Sequence, residues 1–328
     1  MKTGYVYELV GNTPLIKIKS LSNYAGCEIL AKAEFLNPGG SIKDRTALGI
    51  ILKAEQDGLL KKGYTLIEGT AGNTGIGLAT LAAQKGYRCI IVMPNNQSQE
   101  KYQTLQALGA KVITVPPCPF SNPDHFYHTA KRLAESTPHS FWATQFENTA
   151  NFDIHYKTTG PEIWQQTDGS INAFVASVGT GGTFAGVSKY LKEQNPAVHT
   201  CVADPLGSGI HAYIKTGVLK SEGSSITEGI GIMRLTENFK LAHADDSIQV
   251  TDQNMISMLY HLSKFDGLIV GTSAALNIYA SLQFALKNRD KCLKIVTIIG
   301  DSGLRYQSKI FNPDFLKQNN LDPNIPIL

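Results

Sequence analysis

The residue best placed to do covalent chemistry is Lys43, in the run Asn37-Pro-Gly-Gly-Ser-Ile-Lys-Asp-Arg45. This run reads as a turn followed by a helix start, with Ser41 and Asp44 at capping-box spacing. Lys43 then falls in the first helical turn, where the positive end of the helix dipole disfavours an ammonium. A lysine with a lowered pKa can form a Schiff base with an aldehyde. Two glycine-rich loops could hold what such a lysine would attack. Glu68-Gly-Thr-Ala-Gly-Asn-Thr-Gly-Ile-Gly77 and Gly179-Thr-Gly-Gly-Thr183 each follow a strand-like run and open a helix. Converging backbone N–H groups at a helix N-terminus can hold a phosphate without any Lys or Arg. Taken singly, a solvated lysine and a tight strand–helix turn describe these residues as well.

Other chemistries fit less well. The first loop has the order G-x-x-G-x-G rather than G-x-G-x-x-G, and the next strand ends Val92-Met-Pro-Asn95, without the acidic residue that would hold a nicotinamide-dinucleotide ribose. A P-loop would need Lys after Gly186, where the chain has Val187-Ser188. Gly300-Asp-Ser-Gly303 resembles a serine-protease nucleophile motif, but Leu304 follows where a second glycine belongs. The eight histidines show no H-x-x-x-H or H-E-x-x-H spacing, so no metal site is expected. His125 and His128, at i and i+3, read as the polar face of a helix.

The elements that must position these residues alternate along the chain. Strand-like runs are Glu28–Ala33, Thr65–Glu68, Arg88–Met93, Lys111–Val115, Ala173–Val178, Thr200–Ala203, Gly267–Val270 and Lys294–Ile299. Helical spacing falls at Ile42–Gln56, Thr74–Lys85, Ser98–Leu108, His125–Glu135, Asp153–Gln166, Thr183–Glu193, Asp252–Ser263 and Ala274–Leu286. Near-continuous apolar strands indicate sheets covered on both faces, and the βαβα order predicts an α/β protein with mostly parallel sheet. At 328 residues the chain is long enough for two domains, with turns near Pro38 and Asn148–Asn151 as the boundaries. The Pro-rich Val115–Pro123 reads as a surface loop.

Composition narrows the partners. The balance of 30 basic and 27 acidic residues is too even for a phosphate-backbone binder, so no nucleic acid is expected. No apolar run approaches the roughly 20 residues of a membrane span, and no signal peptide is visible. Cys27, Cys89, Cys118, Cys201 and Cys292 are odd in number and widely spaced, which predicts buried free thiols in a reducing cytoplasm.

Asn37–Arg45, Thr70–Gly77 and Gly179–Thr183 occur in the order and spacing of fold-type II pyridoxal-phosphate enzymes. Gly11-Asn-Thr-Pro-Leu15, Gln145-Phe146, Lys157-Thr-Thr-Gly-Pro-Glu-Ile-Trp164, Gly229-Ile-Gly231 and Asp301-Ser302 extend the match over nearly the whole chain. The sequence most resembles cysteine synthases (O-acetylserine sulfhydrylases) and the catalytic core of cystathionine β-synthases.

The resemblance implies two three-layer α/β domains with mostly parallel twisted sheets: a smaller, mobile domain over 41–152, and a larger cofactor-binding one from 1–40 plus 153–328. It implies that Lys43 forms the Schiff base with pyridoxal 5'-phosphate and then serves as the base at the substrate Cα. Gly179, Thr180, Gly181, Gly182 and Thr183 would hold the cofactor phosphate, Asn73 its phenolic oxygen, and Ser302 would face its pyridine nitrogen. Thr70, Ala71, Gly72, Asn73, Thr74 and Gln145 would bind the substrate carboxylate. The implied reaction is β-replacement, O-acetyl-L-serine plus sulfide giving L-cysteine and acetate through an α-aminoacrylate, in a cytoplasmic homodimer. A cystathionine β-synthase-type or O-phosphoserine-using enzyme is the alternative. A regulatory partner of serine acetyltransferase is an alternative of another class. Four departures bear on specificity: Ala71 stands where serine is common, Glu228 where glutamine is common, Leu304 where glutamate is frequent, and Gly271-Thr-Ser-Ala-Ala275 departs from the usual Gly-Ser-Ser-Gly run.

Overall fold

Ten strands form two separate sheets in the computed structural model, which describes residues 4–327. In chain order they are β1 (Leu15–Lys17), β2 (Glu28–Ala33), β3 (Thr65–Gly69), β4 (Arg88–Pro94), β5 (Lys111–Val115), β6 (Ser140–Trp142), β7 (Ala173–Ser177), β8 (His199–Pro205), β9 (Asp246–Val250) and β10 (Lys294–Ile299). The larger sheet has the order β1-β2-β10-β7-β8-β9 and the smaller β5-β4-β3-β6. Every pairing is parallel except β1 with β2.

Alternate residues of each strand enter different cores, which makes each sheet the middle of three layers. In β7, Val175 packs with the helices Asp252–Asp266 and Thr272–Lys287, while Phe174 and Ala176 face Gly182–Gln194. In the smaller sheet, Leu66 and Ile91 pack on the helices Lys43–Gln56 and Asn73–Lys85, and Ile67 and Val92 face Phe126–Ser136. Burying both faces is why these strands read as near-continuous apolar runs.

The departures from expectation fall mainly at edges. The unforeseen strands β1, β6 and β9 each end a sheet, where one side lacks a partner and polar residues are tolerated. Gly267–Val270 is not a strand. Gly267 instead ends a helix in the left-handed region at φ 67°, and Val270 makes a single bridge to Ser302. The helix expected over Asp153–Gln166 is divided into Ala150–Ile154, a π-turn His155–Thr159 and Gly160–Gln166, because Pro161 has no N–H to continue an α-helical ladder. Cys27, Cys89 and Cys201 are buried free thiols, whereas Cys118 is partly exposed and Cys292 exposed. Among the described residues, no helix is long and apolar enough to cross a membrane.

Candidate active site

Lys43 stands at the seam between the two layered units. Ile42 before it packs in the core of the larger sheet, and Ala47, Ile50 and Ile51 after it pack in the core of the smaller one. The carboxyl ends of parallel strands from both sheets open into this seam, which is where α/β folds bind ligands. A cavity of about 370 Å³ lies there, and Lys43 lines it together with Thr70–Thr74, Gln145, Gly179 and Thr180. Burial lowers the Lys43 pKa to about 8, partly opposed by the nearby Asp301 carboxylate. Ser41 accepts the Lys43 N–H at 3.2 Å, but Asp44 reaches the N–H of Gly39 rather than closing a capping box.

Arg45 anchors the same helical turn on its far side. It makes paired contacts with Glu34 (both 2.9 Å) and with Glu162 (2.6 and 2.7 Å), and Lys32 also reaches Glu162 at 2.6 Å. Thr13 donates to Glu34 at 2.7 Å, and Asn37 links Glu34 (2.7 Å) to the N–H of Gly11 (2.8 Å). Three of the sequence motifs thus converge on one buried, charge-balanced network.

A second cavity of about 50 Å³ adjoins the first and is lined by Lys43, Ser177, Gly179, Thr180, Gly181, Thr183, Ser273, Asn277 and Gly300. It sits at the N-terminus of the helix Gly182–Gln194, which no side chain caps. Its first-turn N–H groups are therefore free for an anion. Gly181 has φ 90°, and a Cβ there would lie 2.6 Å from the Phe239 nitrogen; one at Gly179 would lie 2.2 Å from the Gly229 carbonyl oxygen. Gly182 opens the helix, its Cα against Asn151. Asn151 donates to the Thr180 hydroxyl (2.8 Å) and the Gln145 carbonyl (3.0 Å), which joins the two predicted binding loops. The buried His155 ring lies 3.1 Å from the Thr183 hydroxyl, and burial lowers its pKa well below the usual value.

The Thr70–Thr74 loop is constrained from within. Thr70 accepts the Gly72 N–H at 3.1 Å and keeps its own hydroxyl proton available. Thr74 donates its proton to Gln145 Oε1 at 2.5 Å, so its side-chain donor is already used. Gln145 gives one amide N–H to the Gly69 carbonyl at 3.3 Å, which leaves the second. Glu68, at the end of β3 behind this loop, is fully buried. Desolvation raises its pKa to about 8, against the lowering effect of hydrogen bonds from Gln145.

Asn73 is held from both ends of its amide. Arg305 Nη1 donates to its oxygen at 2.7 Å, and its nitrogen donates to Asp301 at 2.6 Å, leaving one N–H free. Ser302 does not line either cavity. Its hydroxyl caps the short helical turn Gly303–Tyr306 by accepting the Leu304 N–H at 3.2 Å, and it donates to the Ile269 carbonyl at 3.4 Å. Ser273, at the start of the helix Thr272–Lys287, lines both cavities instead. The serine-protease-like run thus gives Gly300 to the cavity lining, Asp301 to the hold on Asn73 and Ser302 to a helix cap.

Several lining residues carried no expectation of a role at the site. Phe120 of the Pro-rich loop, His125, Tyr127, Met233 and Arg234 form the outer wall with Phe146 of the Gln145-Phe146 motif. His125 is no simple polar-face residue: it accepts the Tyr127 N–H at 3.2 Å, and burial with its neighbours His128 and Arg234 lowers its pKa to about 4. Glu228 also lines the cavity and sits between Lys101 and Lys309, 2.5 Å from each. Lys101 in turn lies 4.4 Å from the centre of the Tyr306 ring, whose hydroxyl donates to Asp301 at 2.6 Å.

These features fit pyridoxal phosphate. An uncapped helix N-terminus, approached by backbone that admits no side chain, offers donors to a phosphate, and a lysine with a pKa near 8 lines the same cavity. The sequence matches the family described as pyridoxal-phosphate dependent enzyme over residues 6–301. It is 48% identical to cysteine synthase 1 of Emericella nidulans, covering 97% of this chain and 87% of that one. It is 40% identical to the O-acetylserine dependent cystathionine beta-synthase of Bacillus subtilis, covering 93% and 96%. The crystal structure of the O-acetylserine dependent cystathionine beta-synthase from Helicobacter pylori superimposes with a TM-score of 0.85 at 35% identity, covering 94% of this chain and 98% of that one. The chain belongs to the fold-type II pyridoxal-phosphate dependent enzymes.

Proposed function

We propose that this enzyme is a cysteine synthase, converting O-acetyl-L-serine and sulfide to L-cysteine and acetate. The observation that carries the reading is a low-pKa Lys43 sharing its cavity with an anion cradle and a donor-rich loop, in a chain 48% identical to a cysteine synthase along nearly its whole length.

When bound, pyridoxal phosphate supplies the electron sink that makes the substrate α-proton acidic and lets the β-substituent leave. Lys43 Nζ is the base at Cα; a pKa near 8 keeps a useful fraction unprotonated at neutral pH. The Thr70 hydroxyl, the free Gln145 N–H and the backbone N–H groups of Ala71, Asn73 and Thr74 hold the substrate carboxylate at the N-terminus of the helix Asn73–Lys85, with Gly72 giving its N–H to Thr70. Ala71 contributes only its backbone, consistent with its missing hydroxyl. Gly179–Thr183 hold the phosphate, and the remaining Asn73 N–H serves the phenolic oxygen. Ser273, rather than Ser302, is the hydroxyl for the pyridine nitrogen; a neutral partner there favours β-elimination over deeper charge delocalisation.

Residues 41–152 close over substrate as one body and keep water from the reacting centre. Contacts across the seam support this, including Ser308 with Glu100 (2.8 Å) and Lys309 with the Asn96 carbonyl (2.6 Å). The enzyme works as a cytoplasmic homodimer, supported by five free thiols and by the exposed Ile269 and Leu304 flanking the Val270–Ser302 bridge. The intact Lys43 and its cavity favour catalysis over a purely regulatory role beside serine acetyltransferase.

The test is cysteine formation by the purified holoenzyme from O-acetylserine and sulfide, with the visible absorption of the bound cofactor followed in parallel. Turnover that Lys43→Ala abolishes is expected. A coloured holoenzyme that ignores O-acetylserine but turns over serine or O-phosphoserine would replace the acetyl ester in this reading.

A further inference from the structure

Two of the thiols meet at the foot of the larger sheet, at the end of the strands opposite the cavity. β2 and β10 pair in parallel register with Lys294 beside Glu28, and the Glu28 N–H donates to the Leu293 carbonyl at 2.8 Å. Cys27 directly precedes Glu28, and Cys292 directly precedes Leu293. The register therefore sets Cys27 beside Leu293, with Cys292 one step back on the neighbouring segment. With strands about 4.8 Å apart and about 3.3 Å per residue, that diagonal is about 6 Å between Cα atoms. A disulfide spans about 4.4–6.8 Å. Cys292 lies before the first residue of β10, so its side chain need not follow the strand's alternation of faces. Cys27 is buried in the core around Ile29 and Ala31, its N–H donating to the Ser22 carbonyl at 3.3 Å, whereas Cys292 is exposed. Burial raises the Cys27 pKa, and the neighbouring Cys292 thiol raises it further. The buried Cys89 and Cys201 have no thiol among the groups that raise theirs.

We propose that Cys27 and Cys292 form an oxidation site, a dithiol that hydrogen peroxide converts to a disulfide joining β2 to β10. The exposed Cys292 sulfur, as thiolate, attacks the peroxide; the O–O bond breaks, one oxygen leaves as water and the other stays on Cys292 as a sulfenic acid. The Cys27 sulfur then displaces that hydroxyl as a second water, and the S–S bond closes. The two thiols give up two electrons and two protons, and the peroxide takes up both. A small thiol reopens the bridge by exchange and is itself oxidised. From this point β2 and β10 each run six residues, about 20 Å, toward the cavity. The bridge thus fastens the larger sheet without touching the reacting centre.

The test treats the folded holoenzyme with hydrogen peroxide, blocks the remaining thiols in denaturant and maps the tryptic peptides by mass spectrometry. Peptide 20–32 joined to peptide 292–294 is the expected new species, and dithiothreitol should remove it. The bridge closes a loop across most of the chain, so the oxidised enzyme should melt about 4 °C or more above the reduced one. Cys27→Ser, its fold checked by the visible absorption of the bound cofactor, should gain no such increase and should carry Cys292 on to the sulfinic acid. Sulfinic acid on Cys292 of the wild-type enzyme with Cys27 still a free thiol overturns the proposal. So does peptide 292–294 joined to itself, which would mark an exposed cysteine linking two molecules. A bridge that leaves the melting temperature unchanged overturns the fastening of the sheet.

Discussion

Arg45 holds Glu34 through two hydrogen bonds of 2.9 Å, from Nε and Nη2, and neither side chain reaches solvent. Removing one member of such a pair leaves a buried charge uncompensated, which costs about 3–5 kcal/mol. Arg45→Met should therefore lower stability by that order in urea unfolding. The double variant Arg45→Met/Glu34→Leu should lose less than the two single changes combined, because it leaves no lone carboxylate at that position.

Glu68 predicts a pH-dependent stabilisation on neutralisation. Its folded pKa, about 8, lies above the ordinary 4.5, so the native state binds the extra proton between those values. Its favourable contribution is complete below about pH 4.5 and is lost as pH rises through 8. Glu68→Gln should raise the Tm at pH 8.5 by roughly 2–4 °C or more, with the advantage vanishing near pH 4.5. A constant difference across the range would contradict a neutral buried carboxyl.

Lys43 sets a second pH dependence. Its pKa of about 8 means that the nucleophilic amine accumulates as pH rises through 8 and levels off about one unit above it. Covalent capture of pyridoxal phosphate by the apoenzyme, timed by stopped-flow absorbance, should accelerate with a midpoint near pH 8. An ordinary lysine would place that midpoint near 10.4.

Ser273 and Ser302 separate two placements of the pyridine partner. Ser273→Ala should alter the visible spectrum of the holoenzyme and lower kcat by about tenfold or more, as loss of a group tuning the reacting centre does. Ser302→Ala should leave the spectrum in place and cost roughly 1 kcal/mol of stability, the value of a lost cap. The reverse pattern would return the role to Ser302.

Gly181→Ala tests the cradle. With φ at 90° and the Phe239 nitrogen 2.6 Å from the added methyl, the loop must move. A strained non-glycine residue costs on the order of 1–3 kcal/mol, which corresponds to about a five- to 150-fold loss of cofactor affinity if the bound state alone requires this backbone. Equilibrium dialysis of pyridoxal phosphate measures it directly.

Much of this arrangement was legible in the sequence because its central strands are apolar on both faces and its loops carry runs of glycine. Strands β1, β6 and β9 escaped notice for the opposite reason: they are short, half-polar edges. Ser302 stood out because a motif fixes neighbours along the chain, whereas the cavity gathers residues from different strands; Ser273, inside Gly271–Ala275, was legible only as part of a departure from the usual glycine–serine run. Arg45 and Glu34 were invisible as a pair, lying 11 residues apart. The outer wall draws Phe120, Phe146 and Arg234 from three loops that share no pattern.

The bridge Lys101–Glu228–Lys309 unites a helix of the smaller sheet, the loop before Gly229 and the C-terminal segment. Attraction between such groups is strong in contact and falls steeply once water enters between them. Partial separation would therefore gain little hydration while losing most of the attraction. Parting any one of the three segments would leave at least one of these charges without its partner, so the clasp ties their separation together.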